Sequence, residues 1–145
     1  MNMNSLQLKL CDIQGRLFEL SEKYSSKDFI RTFMRSEVAA NLDSSYNRMQ
    51  WMGEEYLLEE LTDEVSIDTE GEKYGKEILY WIGYIYRYWA QLTGESSKNI
   101  YRQAPAETMK RNYLMFHTHD PEIAIEDLKE IYHQRKGSKQ NYEER

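Results

Sequence analysis

Apolar residues recur at helical spacing along this chain, and one stretch carries the pattern further than the rest. Between Tyr74 and Leu92, YGKEILYWIGYIYRYWAQL, residues Ile78, Trp81, Ile82, Ile85, Trp89 and Leu92 fall on one face of a helix. The opposite side is not bare, since Tyr80, Tyr84 and Tyr88 recur at every fourth position with Arg87 beside them. A helix that is apolar or aromatic nearly all round belongs among other helices, so this segment is predicted to be the central post of the fold. Its Ile/Trp face reads as core, and Gly83 offers a place for a neighbouring helix to approach closely. Pattern alone leaves open whether the tyrosine face is capped by later helices or offered to a partner.

The flanking segments repeat the helical period. Leu6, Leu10, Ile13, Leu17, Leu20 and Tyr24 predict a first helix over about 5–24 with one apolar seam. Ser25 or Ser26 with Asp28 caps a second, carrying Phe29, Ile30, Phe33 and Met34 and interrupted near Ser36 before Val38 to Leu42. A third is predicted over about 45–65, capped by Asp43 or Ser44. It turns Tyr46, Met49, Met52, Tyr56, Leu57, Leu61 and Val65 inward and its acids outward. The polar run SIDTEGEK at 66–73, with Gly71, reads as a surface loop.

After the central helix, Thr93-Gly94-Glu95 breaks the pattern, and Ser96 can cap a short helix over 97–104. Pro105 suits the first turn of a further helix bearing Met109, Tyr113, Leu114 and Phe116. Asp120-Pro121-Glu122 is the clearest helix start in the chain, and Ile123, Leu128, Ile131 and Tyr132 carry that helix towards Arg135. Gly137 is predicted to end it, leaving 137–145 as a frayed polar tail beyond a single domain over 1–136. The expected fold is all-α, one bundle of five to seven helices around the aromatic segment 74–92. Only two prolines and seven glycines punctuate the 145 residues, too few for the turns of an all-β fold.

Charge adds an asymmetry to this picture. The net charge is -6, yet ten acids against Lys73 and Lys76 give 54–77 a local net of -8, while four basic residues against Glu107 give 98–115 a net of +3. An acidic chain with one basic patch argues against general nucleic-acid binding and favours protein partners. The acids Glu54, Glu55, Glu59 and Glu60 read as a solvated face or as a patch for a basic partner. The single cysteine, Cys11, cannot form an internal disulfide and sits in an apolar helical pattern, which fits a core residue in a reducing compartment. No secretory signal pattern opens the chain, and the uncharged run around the central helix stops at Arg87, so a cytoplasmic protein without a membrane span is expected.

Three motifs carry possible chemistry. Arg111-Asn112-Tyr113-Leu114-Met115-Phe116-His117 is an Arg-x5-His that resembles the motif of the HEPN ribonucleases, which are also small and all-helical. The resemblance implies an arginine that holds a phosphate and a histidine that moves a proton, with Asn112 orienting the site. In the alternative reading, Arg111 is a solvated helix residue and His117 a C-terminal cap.

Two candidate sets of metal ligands stand in the sequence, His117, His119, Asp120 and Glu122, and Glu126, Glu130 and His133. The first set lacks a third ligand at an established spacing, and the second lacks the matching Glu-x-x-His of a di-iron bundle. No metal and no cofactor is therefore expected. Ala90, Gly94 and Ile100 match three positions of a helix-turn-helix that would present Lys98 and Arg102 to a DNA groove, whereas Thr93, Glu95 and Gln103 stand where such a motif is apolar.

Three longer stretches, SSYNRMQWMGEEYLLEEL at 44–61, YWIGYIYRYWAQLTGESSKNIYRQAP at 80–105 and YLMFHTHDPEIAIEDL at 113–128, resemble a family of small bacterial all-helical proteins of toxin-antitoxin loci, encoded beside toxins of ADP-ribosyltransferase type. The resemblance implies a non-enzymatic, antitoxin or immunity-like protein that neutralises a cognate toxin by direct binding. Tyrosine and arginine are the side chains that most often anchor such contacts, which makes Tyr84, Arg87, Tyr88, Tyr101 and Arg102 the candidate partner-binding residues. The ribonuclease using Arg111, Asn112 and His117 and the DNA-binding regulator stand as alternatives.

Overall fold

The computed structural model describes residues 3–45 and 47–143, in chain order α1 (Ser5–Leu20), α2 (Ser26–Met34), α3 (Glu37–Asp43), a 3-10 turn (Arg48–Trp51), α4 (Glu54–Glu64), α5 (Lys76–Thr93), α6 (Ser97–Gln103), α7 (Ala106–Phe116) and α8 (Pro121–Glu143). The fold is all-α, with no strand among the described residues. All eight helices contribute to one apolar core, in which Leu17, Phe18, Phe29, Phe33, Leu57, Leu61, Ile82 and Trp89 are sealed from solvent.

The extra helix comes from Ser36. Its hydroxyl accepts from the Ala39 backbone N–H at 3.1 Å and donates to the Phe33 carbonyl at 2.6 Å, which ends α2 and starts α3. The helix expected over 45–65 is also divided. Gly53 takes an extended conformation as the cap of α4, and Glu54 and Glu55 place their charge at its positive end. Tyr56, expected inside, is consequently exposed, while Leu57 and Leu61 are buried as expected; Tyr46 lies outside the described residues. Pro105 caps α7 from outside its first turn. Gly137 does not end α8, which continues to Glu143, because an exposed glycine weakens a helix without breaking it.

The loop at 66–73 is tied down. The N–H groups of Ser25 and Ser26, which a helix start leaves without intrahelical partners, donate to the Asp68 and Glu72 carbonyls at 2.8 and 3.0 Å. The Asp68 N–H returns to Asp28 Oδ2 at 2.6 Å. Gly71 permits this wrap, having φ +133° and lying where a Cβ would stand 2.8 Å from Ser25 Oγ.

The central post is α5, and its main neighbour is α1, which crosses it antiparallel: Gln7 faces Gln91, Gln14 faces Gly83 and Glu22 faces Lys76. Two glycines let the backbones meet. A Cβ on Gly83 would lie 2.6 Å from the Gln14 carbonyl oxygen, and one on Gly15 would lie 2.7 Å from the Tyr80 ring. Beside this crossing, Gln14 Nε2 donates to the Gly83 carbonyl at 3.0 Å and Gln14 Oε1 accepts from Arg87 Nε at 2.8 Å. The Arg87 guanidinium continues to Asp43 Oδ1 at 2.7 Å and to Ser97 Oγ at 3.3 Å. Ser97 donates both its N–H and its hydroxyl to Asp43, each at 2.8 Å. One buried arginine thereby joins α1, α3, α5 and α6.

Urea denaturation of four variants tests this packing. Gly83→Ala forces α1 off α5 and costs about 1–3 kcal/mol, whereas Gly137→Ala, which meets nothing, gains up to about 1 kcal/mol. Arg87→Met costs about 3 kcal/mol, and Asp43→Ala costs at least as much because it leaves an unpaired cation that is only 1% exposed.

Candidate functional site

The tyrosine stripe of α5 is half-buried, and its three rings ladder along the helix with centroids 5.9 and 6.2 Å apart. Tyr80 leans over Gly15 and donates its hydroxyl to Asp12 Oδ1, so α1 covers that end. The side facing away from α1 is open. There Tyr80, Trp81, Tyr84 and Ile85 form the floor of a groove of about 800 Å³. Glu19 of α1, with Lys76 and Glu77 of α5, stands on its rim, and Tyr113, His117, His119 and Pro121 of the α7–α8 corner form the far wall. Tyr113 packs edge-on to Trp81, with centroids 5.8 Å apart, and His117 stacks on Tyr113 at 4.3 Å. The same corner leaves Leu114, Met115 and Ile123 exposed, the first at 80%. An aromatic hollow beside unpaired apolar side chains is the anatomy of a binding surface.

The phenols here are neutral donors rather than bases. Burial pushes the pKa values of Tyr80, Tyr84 and Tyr88 up, the Asp12 hydrogen bond adds to the rise at Tyr80, and Glu122 adds to it at Tyr88. The Cys11 thiol, fully buried, is pushed up to about 12 by desolvation and offers no nucleophile.

The five expected contact residues divide among three places. Tyr84 lines the groove, and Tyr88 continues its stripe. Arg87 is corrected to a structural role, because its guanidinium is buried and committed to Gln14, Asp43 and Ser97. Tyr101 and Arg102 line a separate hollow of about 510 Å³ with Arg35 and Lys98, sharing no residue with the groove.

Arg111 and His117 are not brought together at the groove. Six residues apart on one helical run, they point about 120° apart around its axis, and His117 lines the groove whereas exposed Arg111 does not. His117 Nδ1–H donates to the Tyr113 carbonyl at 2.7 Å, and the Asn112 amide donates to the Thr108 carbonyl at 2.8 Å, away from any shared site. Among the described residues, no three His, Cys, Asp or Glu side chains are grouped as a metal ion would require, so the sets at His117, His119, Asp120 and Glu122 and at Glu126, Glu130 and His133 stay apart.

Trp81 is buried in the core as its helical period predicts, and it also lines the groove, which periodicity does not reveal. Sequence reasoning likewise missed Glu19, Glu77, Tyr113 and His119 as groove residues.

The α5–α6 turn explains its own polar residues. Gly94 takes the left-handed conformation at φ +74° and Ile100 is buried, as in a helix-turn-helix. Glu95 replaces the usual apolar contact with a polar one, accepting from Trp89 Nε1 at 2.6 Å, Asn99 at 2.9 Å and Gln103 at 2.8 Å, and pairing with Lys129 of α8 at 3.1 Å. Partial burial acts to raise the Glu95 carboxyl, but hydrogen bonds from Gln103, Trp89, Thr93 and Lys129 outweigh it and hold the pKa at about 2.

No family model, curated protein or solved structure matches the chain. No helix among the described residues is long and apolar enough to cross a membrane.

The depressed Glu95 pKa sets a pH dependence. Its stabilisation is complete above the ordinary value of 4.5 and is lost as pH falls towards about 2. Thermal melts across that window should therefore show a smaller loss of Tm in Glu95→Gln than in the wild type, with the variant less stable at pH 7. Parallel Tm curves for the two proteins would contradict it.

Proposed function

We propose that this protein is a non-enzymatic binding module of antitoxin or immunity type, which neutralises a cognate toxin in the bacterial cytoplasm by docking it on the groove between α5 and the α7–α8 corner. The observation that carries the reading is the open aromatic groove beside exposed Leu114, Met115 and Ile123, an apolar surface that the described residues leave uncovered. The resemblance of 44–61, 80–105 and 113–128 to proteins of toxin-antitoxin loci supplies the partner class. The separation of Arg111 and His117 weighs against the ribonuclease alternative, and the Cys11 thiol is inert.

A second reading, contact with DNA, draws on the basic face of Arg35, Lys98 and Arg102 around Tyr101. Salt-sensitive retention of the chain's own promoter DNA would support it, and no retention at low salt would remove it.

Co-expression with the product of the adjacent gene tests the main reading. The two proteins should co-purify, and growth arrested by that product should recover. Tyr84→Asp with Leu114→Asp should abolish both effects and lower affinity at least about 100-fold while the far-UV spectrum is retained. A neighbour that neither co-purifies nor is neutralised overturns the proposal.

A further inference from the structure

We infer that the segment seated in this groove is a basic amphipathic helix of the partner, two to three turns long, lying along α5 with its apolar face on Trp81 and Tyr84 and its cations towards Glu19 and Glu77. The inference rests on reading the groove as a docking surface, not on the partner being a toxin.

Shape comes first. The floor is a single stripe of α5, Tyr80 and Trp81, then Tyr84 and Ile85, with Glu77 on the rim one turn before them, spaced as one face of a helix over about 12 Å. Helices stand on either side, α1 through Glu19 and the α7–α8 corner through Tyr113 to Pro121. A trough whose floor is one helix face and whose walls are two others is the space that one more helix of a bundle would fill. Helix-in-groove recognition reads such a trough through side chains at i, i+3 or i+4, and i+7.

Charge selects the helix. The one lysine on the rim, Lys76, pairs with Glu22 at 3.4 Å, whereas neither Glu19 nor Glu77 has an ion-pair partner among the described residues. Beyond Ile85 the stripe continues to Tyr88, whose phenol feels the negative charges of Glu122 and Asp120. Acids therefore stand towards both ends of the trough, with neutral phenols and an indole between them. Aromatic faces attract lysine and arginine heads, and the aliphatic stems of those side chains pack on the same rings. An anionic lipid surface meets repulsion here, and so does a second copy of a chain with net charge -6.

The test is selection from a displayed library of about 15-residue helices, long enough to hold helical structure, with all positions on one face and its flanks randomised, against the full chain. Enriched helices should carry Leu, Met, Phe or Trp at i, i+4 and i+7, flanked by Lys or Arg, and their binding should change Trp fluorescence. Glu19→Lys with Glu77→Lys should weaken them at least about tenfold, as should raising salt from about 0.05 to 0.5 M. Glu77 also lies in the first turn of α5, so that variant should keep a cooperative melt with Tm lowered by no more than a few degrees, and Tyr84→Asp provides an independent loss of binding.

Enrichment of neutral or acidic helices, binding indifferent to these substitutions, no enrichment, retention on phosphatidylserine vesicles, or self-association that Tyr84→Asp abolishes would each overturn the inference. Toxin rescue that persists when the selection fails would sink the basic helix and leave the antitoxin reading standing. Selected basic helices without any rescue would do the reverse.

Discussion

The arrangement depends on one buried cation. Arg87 projects from the middle of α5 into the space between α1, α3 and α6, and every polar atom it meets is itself held by another element. Gln14 is fixed by the Gly83 carbonyl, and Asp43 by the N–H and hydroxyl of Ser97. A charge that is 1% exposed tolerates only a partner set of this kind, because any displaced acceptor leaves a desolvation penalty of several kcal/mol uncompensated. The network therefore acts on geometry more than on net stability: it specifies how four helices stand relative to one another.

That geometry brings α1 close enough to α5 that a Cβ at either Gly15 or Gly83 would clash. Gly15 and Gly83 make room, and the approach sends Tyr80 across α1 to Asp12. Once one side of the tyrosine stripe is occupied in this way, the other side has only the α7–α8 corner to cover it. The corner reaches Trp81 through Tyr113 and Ile85 is buried, but Tyr84 is left half-buried at the groove. The groove is thus a consequence of how the core is satisfied on the far side of the same helix.

Electrostatics separates two surfaces. The groove carries on its rim two acids, Glu19 and Glu77, without ion-pair partners among the described residues, whereas Arg35, Lys98 and Arg102 gather around Tyr101 on the other hollow. At the α5–α6 turn, Glu95 is held ionised by four donors and stitches the end of α5 to α6 and α8. A residue that breaks the apolar rule of a helix-turn-helix is here the polar keystone of the turn.

Much of the fold was legible in residue order. The helical period located α1, α2, α5, α6, α7 and the start of α8, and the seryl caps at Ser25 and Ser96 located the starts of α2 and α6, because these signals are local and act through backbone groups a few residues away. The Ile/Trp face of α5 was legible as core for the same reason. Where local signals compete, the reading failed: Gly53 divided a continuous apolar pattern, and Gly137 did not stop α8. The fate of the second face of α5 was not local at all. Tyr84, Arg87 and Tyr88 look alike in the sequence as polar-tipped side chains on one flank, yet Arg87 lies against Asp43 and Gln14, 44 and 73 residues away. Tyr84 meets instead a cleft formed by residues as distant as Glu19 and Pro121. Long-range packing alone decides which of them is sealed in and which is offered, since burial depends on what the rest of the chain places opposite.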